Sequence, residues 1–151
     1  MFIDASAMLA ILNEEPESAE VIAALSAAAT PLCTSSLGLF EAALGLAKSR
    51  TPGGKRPAQS DVLLALDIVE AFLQETGAII LAITPDIGLL AVQAAARFGK
   101  AVGHKAALNF GDCFAYASAI KENIPLLFIG MDFPETDVTS ALPDPRPVQL
   151  R

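Results

Sequence analysis

Apolar and polar positions along the chain fall into blocks that predict strands and helices in turn. Met1–Asp4 is a short apolar run ending in an acid, a first strand, and Ala5–Leu12 then carries helical periodicity. A Glu-rich segment around Pro16 opens a second helix to about Ala28; Pro31 ends it ahead of a second strand at Leu32–Thr34. From Ser36 to about Lys48, the residues Leu37, Phe40, Leu44 and Ala47 recur at helical spacing. Thr51-Pro52-Gly53-Gly54-Lys55-Arg56-Pro57 reads as a loop. Ser60 is placed to cap a helix whose apolar stripe runs Leu63, Leu66, Val69, Leu73. Ala78–Ile83 is a β-branched strand, and Thr84-Pro85-Asp86 supplies an N-cap, a proline at the first helical position and a first-turn acid for a helix reaching Phe98. Gly111–Asn123 is a further helix, and Leu126–Ile129 a last strand before a Pro-rich tail. Strands separated by helices predict an α/β fold: a mainly parallel sheet covered by helices on both faces, in one domain over residues 1–151.

Composition narrows the class. Hydrophobic residues make up 53% and charged residues 18% of the 151, too apolar for a disordered chain and too poor in charge for a coiled coil. No apolar run approaches the roughly 20 residues that span a bilayer, because Pro85 and Asp86 split the longest candidate. The net charge of −7 disfavours nonspecific nucleic-acid binding. The basic residues are nevertheless clustered, as Lys48, Arg50, Lys55 and Arg56 and again as Arg97, Lys100 and Lys105, which leaves room for a local basic strip. Cys33 and Cys113 match no metal-ligand spacing, and the N-terminus has no basic n-region of a signal peptide. A reduced, cytoplasmic protein with no membrane association is expected.

The candidate chemistry lies in the isolation of a few acids. There is no glycine-rich dinucleotide fingerprint, no phosphate loop and no metalloprotease helix, and a single histidine, His104, excludes a multi-histidine zinc site. Asp4 is the only charged residue in Met1–Asn13, Glu41 in Val21–Ala47, Asp112 in Ala106–Ile120, and Asp132 in Asn123–Pro134. A carboxylate that leaves water unpaired takes up a proton or finds a cation. Four such acids on one small sheet can converge on a shared Mg²⁺ or Mn²⁺, which hard oxygen ligands favour. Asp4 ends the first strand and Asp132 follows the last, where parallel sheets gather ligands. Taken singly, Asp4 and Asp112 also suit helix N-caps worth about 1 kcal/mol each, and Asp132 suits a turn. Glu41 sits mid-helix beside Phe40 and has no capping role.

The same residues carry a family resemblance. Phe2-Ile3-Asp4-Ala5-Ser6-Ala7 resembles the opening motif of PIN-domain nucleases, especially VapC-type toxins, and Leu37-Gly38-Leu39-Phe40-Glu41 resembles their second acidic motif. Gly103–Ala117, with Asp112 at its centre, resembles the third, and Leu126–Val138 the last strand and the loop after it. The resemblance implies a three-layer α/β/α fold and a Mg²⁺- or Mn²⁺-dependent endoribonuclease, the toxin of a pair whose small VapB-type antitoxin holds it inactive. It implies Asp4, Glu41 and Asp112 as the catalytic and metal-binding triad, with Ser6 in support of Asp4. Asp132 is a supporting fourth acid, and Met131 stands where the family often carries another acid or an Asn. RNA would run along Lys48, Arg50, Lys55 and Arg56, with Lys105, and the protein would form a homodimer. Four rivals remain. A phosphoacceptor domain would need a paired acid after the first strand and a lysine after the last, where Asp4-Ala5-Ser6 and Gly130-Met131-Asp132 stand, and an Asp-x-Asp phosphatase would need a second acid where Ser6 stands. The others are a PIN-like binding module with weakened catalysis and a housekeeping RNA-processing nuclease without an antitoxin.

Overall fold

Four short strands, all parallel, form the frame that places everything else: β1 (Phe2–Ile3), β2 (Cys33–Ser35), β3 (Ile79–Leu81) and β4 (Leu126–Leu127). Their order is β3-β2-β1-β4, with Phe2 beside Cys33 on one side and Leu126 on the other. This computed structural model describes Met1–Pro143; residues 144–151, the end of the Pro-rich tail, lie outside the described residues. Six helices connect and cover the strands: α1 (Ala5–Leu12), α2 (Ser18–Ser26), α3 (Ser36–Arg50), α4 (Gln59–Thr76), α5 (Pro85–Phe98) and α6 (Phe110–Glu122).

The alternation of a strand sends successive side chains to opposite faces, and here it divides the core in two. Ile3 and Leu127 point into a cluster with Met8 of α1, Val21 of α2, Leu46 of α3 and Val69 of α4. Phe2, Cys33, Leu126 and Phe128 point the other way, into a cluster with Ile87 and Ala94 of α5 and Cys113 and Tyr116 of α6. The result is the three-layer α/β/α architecture anticipated from the sequence.

Several local expectations hold. Thr84 caps α5 by accepting the Ile87 N–H at 3.4 Å, with Pro85 and Asp86 in the first turn, and Asp86 also pairs with Lys121 of α6 at 2.9 Å. Other expectations need correction. Ser60 does not cap α4: the helix begins one residue earlier, at Gln59, and the Asp61 carboxylate takes the Ala58 N–H at 2.8 Å. The buried face of α3 is Gly38, Ala42, Ala43, Leu46 and Ala47, while Phe40 is 56% exposed and Leu44 also faces out. Close packing explains the rotation, because α3 presents its small residues to α1 and α4; a Cβ at Gly45 would lie 2.7 Å from Leu9 Cδ1. In α4 the buried set is Ala65, Val69, Phe72 and Leu73, with Leu63 exposed. The start of the tail is not free either, since Leu126 N–H donates to Thr139 O and Ala141 N–H to Leu126 O, each at 2.9 Å. That bridge covers the outer edge of β4, which would otherwise offer unpaired backbone groups.

Leu46 is fully buried where α1, α3 and α4 meet. Leu46→Ala is expected to cost about 2–5 kcal/mol, read as a lower denaturant midpoint with an unchanged slope.

Candidate active site

Parallel strands bring their carboxyl ends to one edge, and the order β3-β2-β1-β4 places a topological switch between β1 and β4, beside Asp4. The chain leaves β1 at Asp4 and turns at once into α1, with Asp4 as its N-cap. Asp4 Oδ2 accepts the Ser6 N–H at 3.0 Å and also the Ser6 hydroxyl. The Ser6 oxygen in turn accepts the N–H of Ile129 at 3.0 Å, tying the end of β1 to the loop after β4. Capping therefore does explain part of Asp4, but not its burial: the residue is only 7% exposed. That burial pushes its pKa above the ordinary value. The Ser6 and Ala5 hydrogen bonds oppose the rise, and the charge of Asp132 adds to it.

Glu41 enters from the second turn of α3, half-buried. Burial pushes its carboxyl up to about 7, and the negative charges of Asp4 and Asp112 push the same way. Asp112 enters from the first turn of α6, whose cap is Asn109. The two hold each other reciprocally: Asp112 N–H donates to Asn109 Oδ1 at 3.1 Å, and Asn109 N–H donates to Asp112 Oδ2 at 2.8 Å. Burial raises the Asp112 carboxyl to about 6 despite the Asn109 bond, with Asp4 and Asp132 adding repulsion. Asp132 is exposed at the rim, at the start of a 3-10 turn over Phe133–Glu135, with no side-chain capping bond.

Asp4, Glu41 and Asp112 thus meet from the end of β1, α3 and α6, close enough that the Asp4 charge raises the proton affinity of both others. Among the described residues, no Lys, Arg or His forms an ion pair with any of these acids or with Asp132. No three acid, His or Cys side chains among the described residues close into a ready-made metal cage. An all-oxygen, open and uncompensated set fits a hydrated divalent cation of the Mg²⁺ type, which keeps several waters and takes one or two carboxylates.

The basic strip falls elsewhere. Arg50 donates to Leu12 O at 3.0 Å, at the far end of α1 from Asp4. The eight residues of α1 put that end about 12 Å along the helix. Lys48, Lys55 and Arg56 are exposed around the same end, and Lys105 pairs with Glu135. His104 accepts the Ala106 N–H at 3.1 Å and meets Phe98 edge-on, a loop-packing role, and both cysteines are buried and free. Asn109 escaped the sequence reading, although its spacing to Asp112 is that of a capping box.

Comparison with known proteins closes the question of kinship. The family model for the PIN domain matches residues 1–138. The chain belongs to the PIN-domain family. It is 42% identical to a VapC ribonuclease of Rhizobium meliloti over 139 residues, 91% of this chain and 98% of that one. It is 37% identical to the ribonuclease VapC28 of Mycobacterium tuberculosis over 142 residues, 94% of this chain and 98% of that one. The crystal structure of M. tuberculosis VapC20, a sarcin–ricin loop cleaving toxin, superposes with a TM-score of 0.71 at 18% identity, covering 94% of this chain and 98% of that one. The residues matched by the family model, 1–138, include Asp4, Glu41, Asp112 and Asp132.

The electrostatics of this PIN domain predict a pH dependence with a definite sign. The folded carboxyls of Glu41 and Asp112, at about 7 and about 6, lie above their ordinary 4.5 and 3.8. Their contribution to stability is therefore present below pH ~4 and lost as pH rises through ~6–7. In chelator, Glu41→Gln should gain thermal stability relative to the parent as pH goes from 5 to 8, and Mn²⁺ should raise the parent's Tm at pH 8. A constant difference between the two proteins across that range would contradict the assignment.

Proposed function

We propose that this PIN domain is a metal-dependent endoribonuclease of the VapC type, the toxin of a VapBC pair, with Asp4, Glu41 and Asp112 as its working acids. The observation that carries the reading is the meeting of these three carboxylates, uncompensated by any cation of the described residues, at the carboxyl edge of the sheet. Asp4 and Asp112, with Glu41, would hold Mg²⁺ or Mn²⁺. Such a cation supplies Lewis-acid neutralisation of charge on the phosphate under attack.

The side chains have separable roles. Ser6 fixes the Asp4 carboxylate by two donors and is itself fixed by the Ile129 N–H, so Asp4 is held in place at the end of β1. The Asn109 N–H occupies Oδ2 of Asp112, and Oδ1 would be the oxygen offered to a cation. One of the carboxylates, Glu41 from α3 being placed beside the other two, would accept the proton of the attacking water. Asp132 at the rim adds negative charge that favours a bound cation. Lys48, Arg50, Lys55 and Arg56 would contact RNA only beyond the scissile phosphate, at the far end of α1 and α3, with Lys105 nearer the site.

The partners follow from the same reading: an RNA substrate, a VapB-type antitoxin and a second copy of the chain, in the cytoplasm. No helix among the described residues is long and apolar enough to cross a membrane. Leu89, Val92, Val102 and Phe110 stand exposed, the last at 69%, so apolar surface is open to protein partners. Sedimentation of the purified chain should give a dimer; a monomer at all concentrations would remove that part of the proposal.

The activity is tested by incubating the protein with structured and single-stranded RNA in Mg²⁺, Mn²⁺ or EDTA. Internal cleavage should need the metal and fall by at least about a hundredfold in Asp4→Asn and Asp112→Asn. Folded variants that cleave like the parent would show the site to be misassigned.

A further inference from the structure

We propose that Gly111 is a positioning residue, present so that the Glu41 carboxylate can lie against the first turn of α6. A Cβ built at Gly111 would stand 2.0 Å from Glu41 Oε1, 2.2 Å from Oε2 and 2.3 Å from Cδ. No backbone requirement accounts for this glycine. It lies inside α6 with none of the positive φ seen at Gly53, Gly54, Gly77 and Gly103, whose would-be Cβ atoms meet open space. In a helix, alanine is the better residue, and glycine weakens the element. The contact with Glu41 is what the glycine provides.

Its place in the chain makes that contact consequential. Gly111 immediately precedes Asp112, so the approach of the Glu41 carboxylate to residue 111 sets how close the acids of α3 and α6 come. The atoms that would collide are the far end of a flexible side chain, not backbone. A methyl group at 111 therefore displaces the Glu41 carboxylate and leaves the fold in place. Gly111 acts through Glu41, and its effect should vanish when Glu41 no longer reaches it.

The test is a substitution cycle on the full chain: Gly111→Ala, Glu41→Asp, Glu41→Ala and the two doubles. Three quantities are read: RNA cleavage, Mn²⁺ affinity of the RNA-free protein by calorimetry, and Tm in chelator. Only the cleavage arm rests on the ribonuclease reading. Gly111→Ala should fold and lose at least about tenfold in cleavage and in Mn²⁺ affinity, as a displaced group does. In the Glu41→Asp background, with the carboxylate drawn back by one methylene, the same change should alter both by less than about twofold. In the Glu41→Ala background it should raise Tm by about 2 °C, the helix preference for alanine being free to act, and in the parent it should raise it less.

Parent-like cleavage and Mn²⁺ affinity in Gly111→Ala would overturn the proposal. So would an equal loss in the parent and Glu41→Asp backgrounds. Should Gly111→Ala fail to fold, recovery of folding in the double with Glu41→Ala supports the contact, and no recovery overturns it. If the parent itself cleaves no RNA, the functional reading fails, and Mn²⁺ affinity and Tm still decide the role of Gly111.

Discussion

The carboxylate of Asp4 leaves water at the end of the central strand, where the chain has no cation to offer it, and the surrounding structure is arranged about that fact. Hydrogen bonds from Ser6 lower its proton affinity, but burial wins, and the group remains costly to ionise. Bringing Glu41 and Asp112 beside it raises the cost again, because each further negative charge disfavours ionisation of the others. A core built for stability alone would not assemble three acids this way. A divalent cation turns the same repulsion into affinity.

The sheet makes the arrangement possible. Because β1 and β4 are parallel neighbours, the end of β1 and the loop after β4 lie side by side, and one hydroxyl, Ser6 Oγ, can bond to both. The helix preceding β4 runs back across the sheet, so its N-terminus arrives at the same edge with Asp112 in its first turn. Asn109 then fixes Asp112 by ordinary capping chemistry. Local helix-start rules and the site therefore use the same atoms, which is why capping accounts for Asp4 and Asp112 only in part.

Structure is legible in the sequence where its signal is local and illegible where it depends on a distant neighbour. Strand runs, proline breaks and the Thr84-Pro85-Asp86 start are written in consecutive residues, and the elements stand where those residues put them. The isolation of Asp4, Glu41 and Asp112 was visible because an apolar background makes an unpaired acid conspicuous. The rotation of α3 was not visible, since Leu37, Phe40 and Leu44 form a better apolar stripe than the small residues that are in fact buried. Close helix packing rewards absence of side chain, and hydrophobicity does not record it. Gly111 was missed for the same reason: its meaning lies in Glu41, seventy positions earlier. The basic strip was a proximity in sequence that α1 and α3 carry to the opposite end of their length.

The most direct measurement is the anomalous difference density of crystals grown with Mn²⁺ at neutral pH. The account predicts a peak at the carboxyl edge of the sheet, with carboxylate oxygens of Asp4 and Asp112 at roughly 2.1 Å and Glu41 within reach directly or through one water. A fully occupied cation bound elsewhere, with these three carboxylates left protonated and paired with one another, would contradict it.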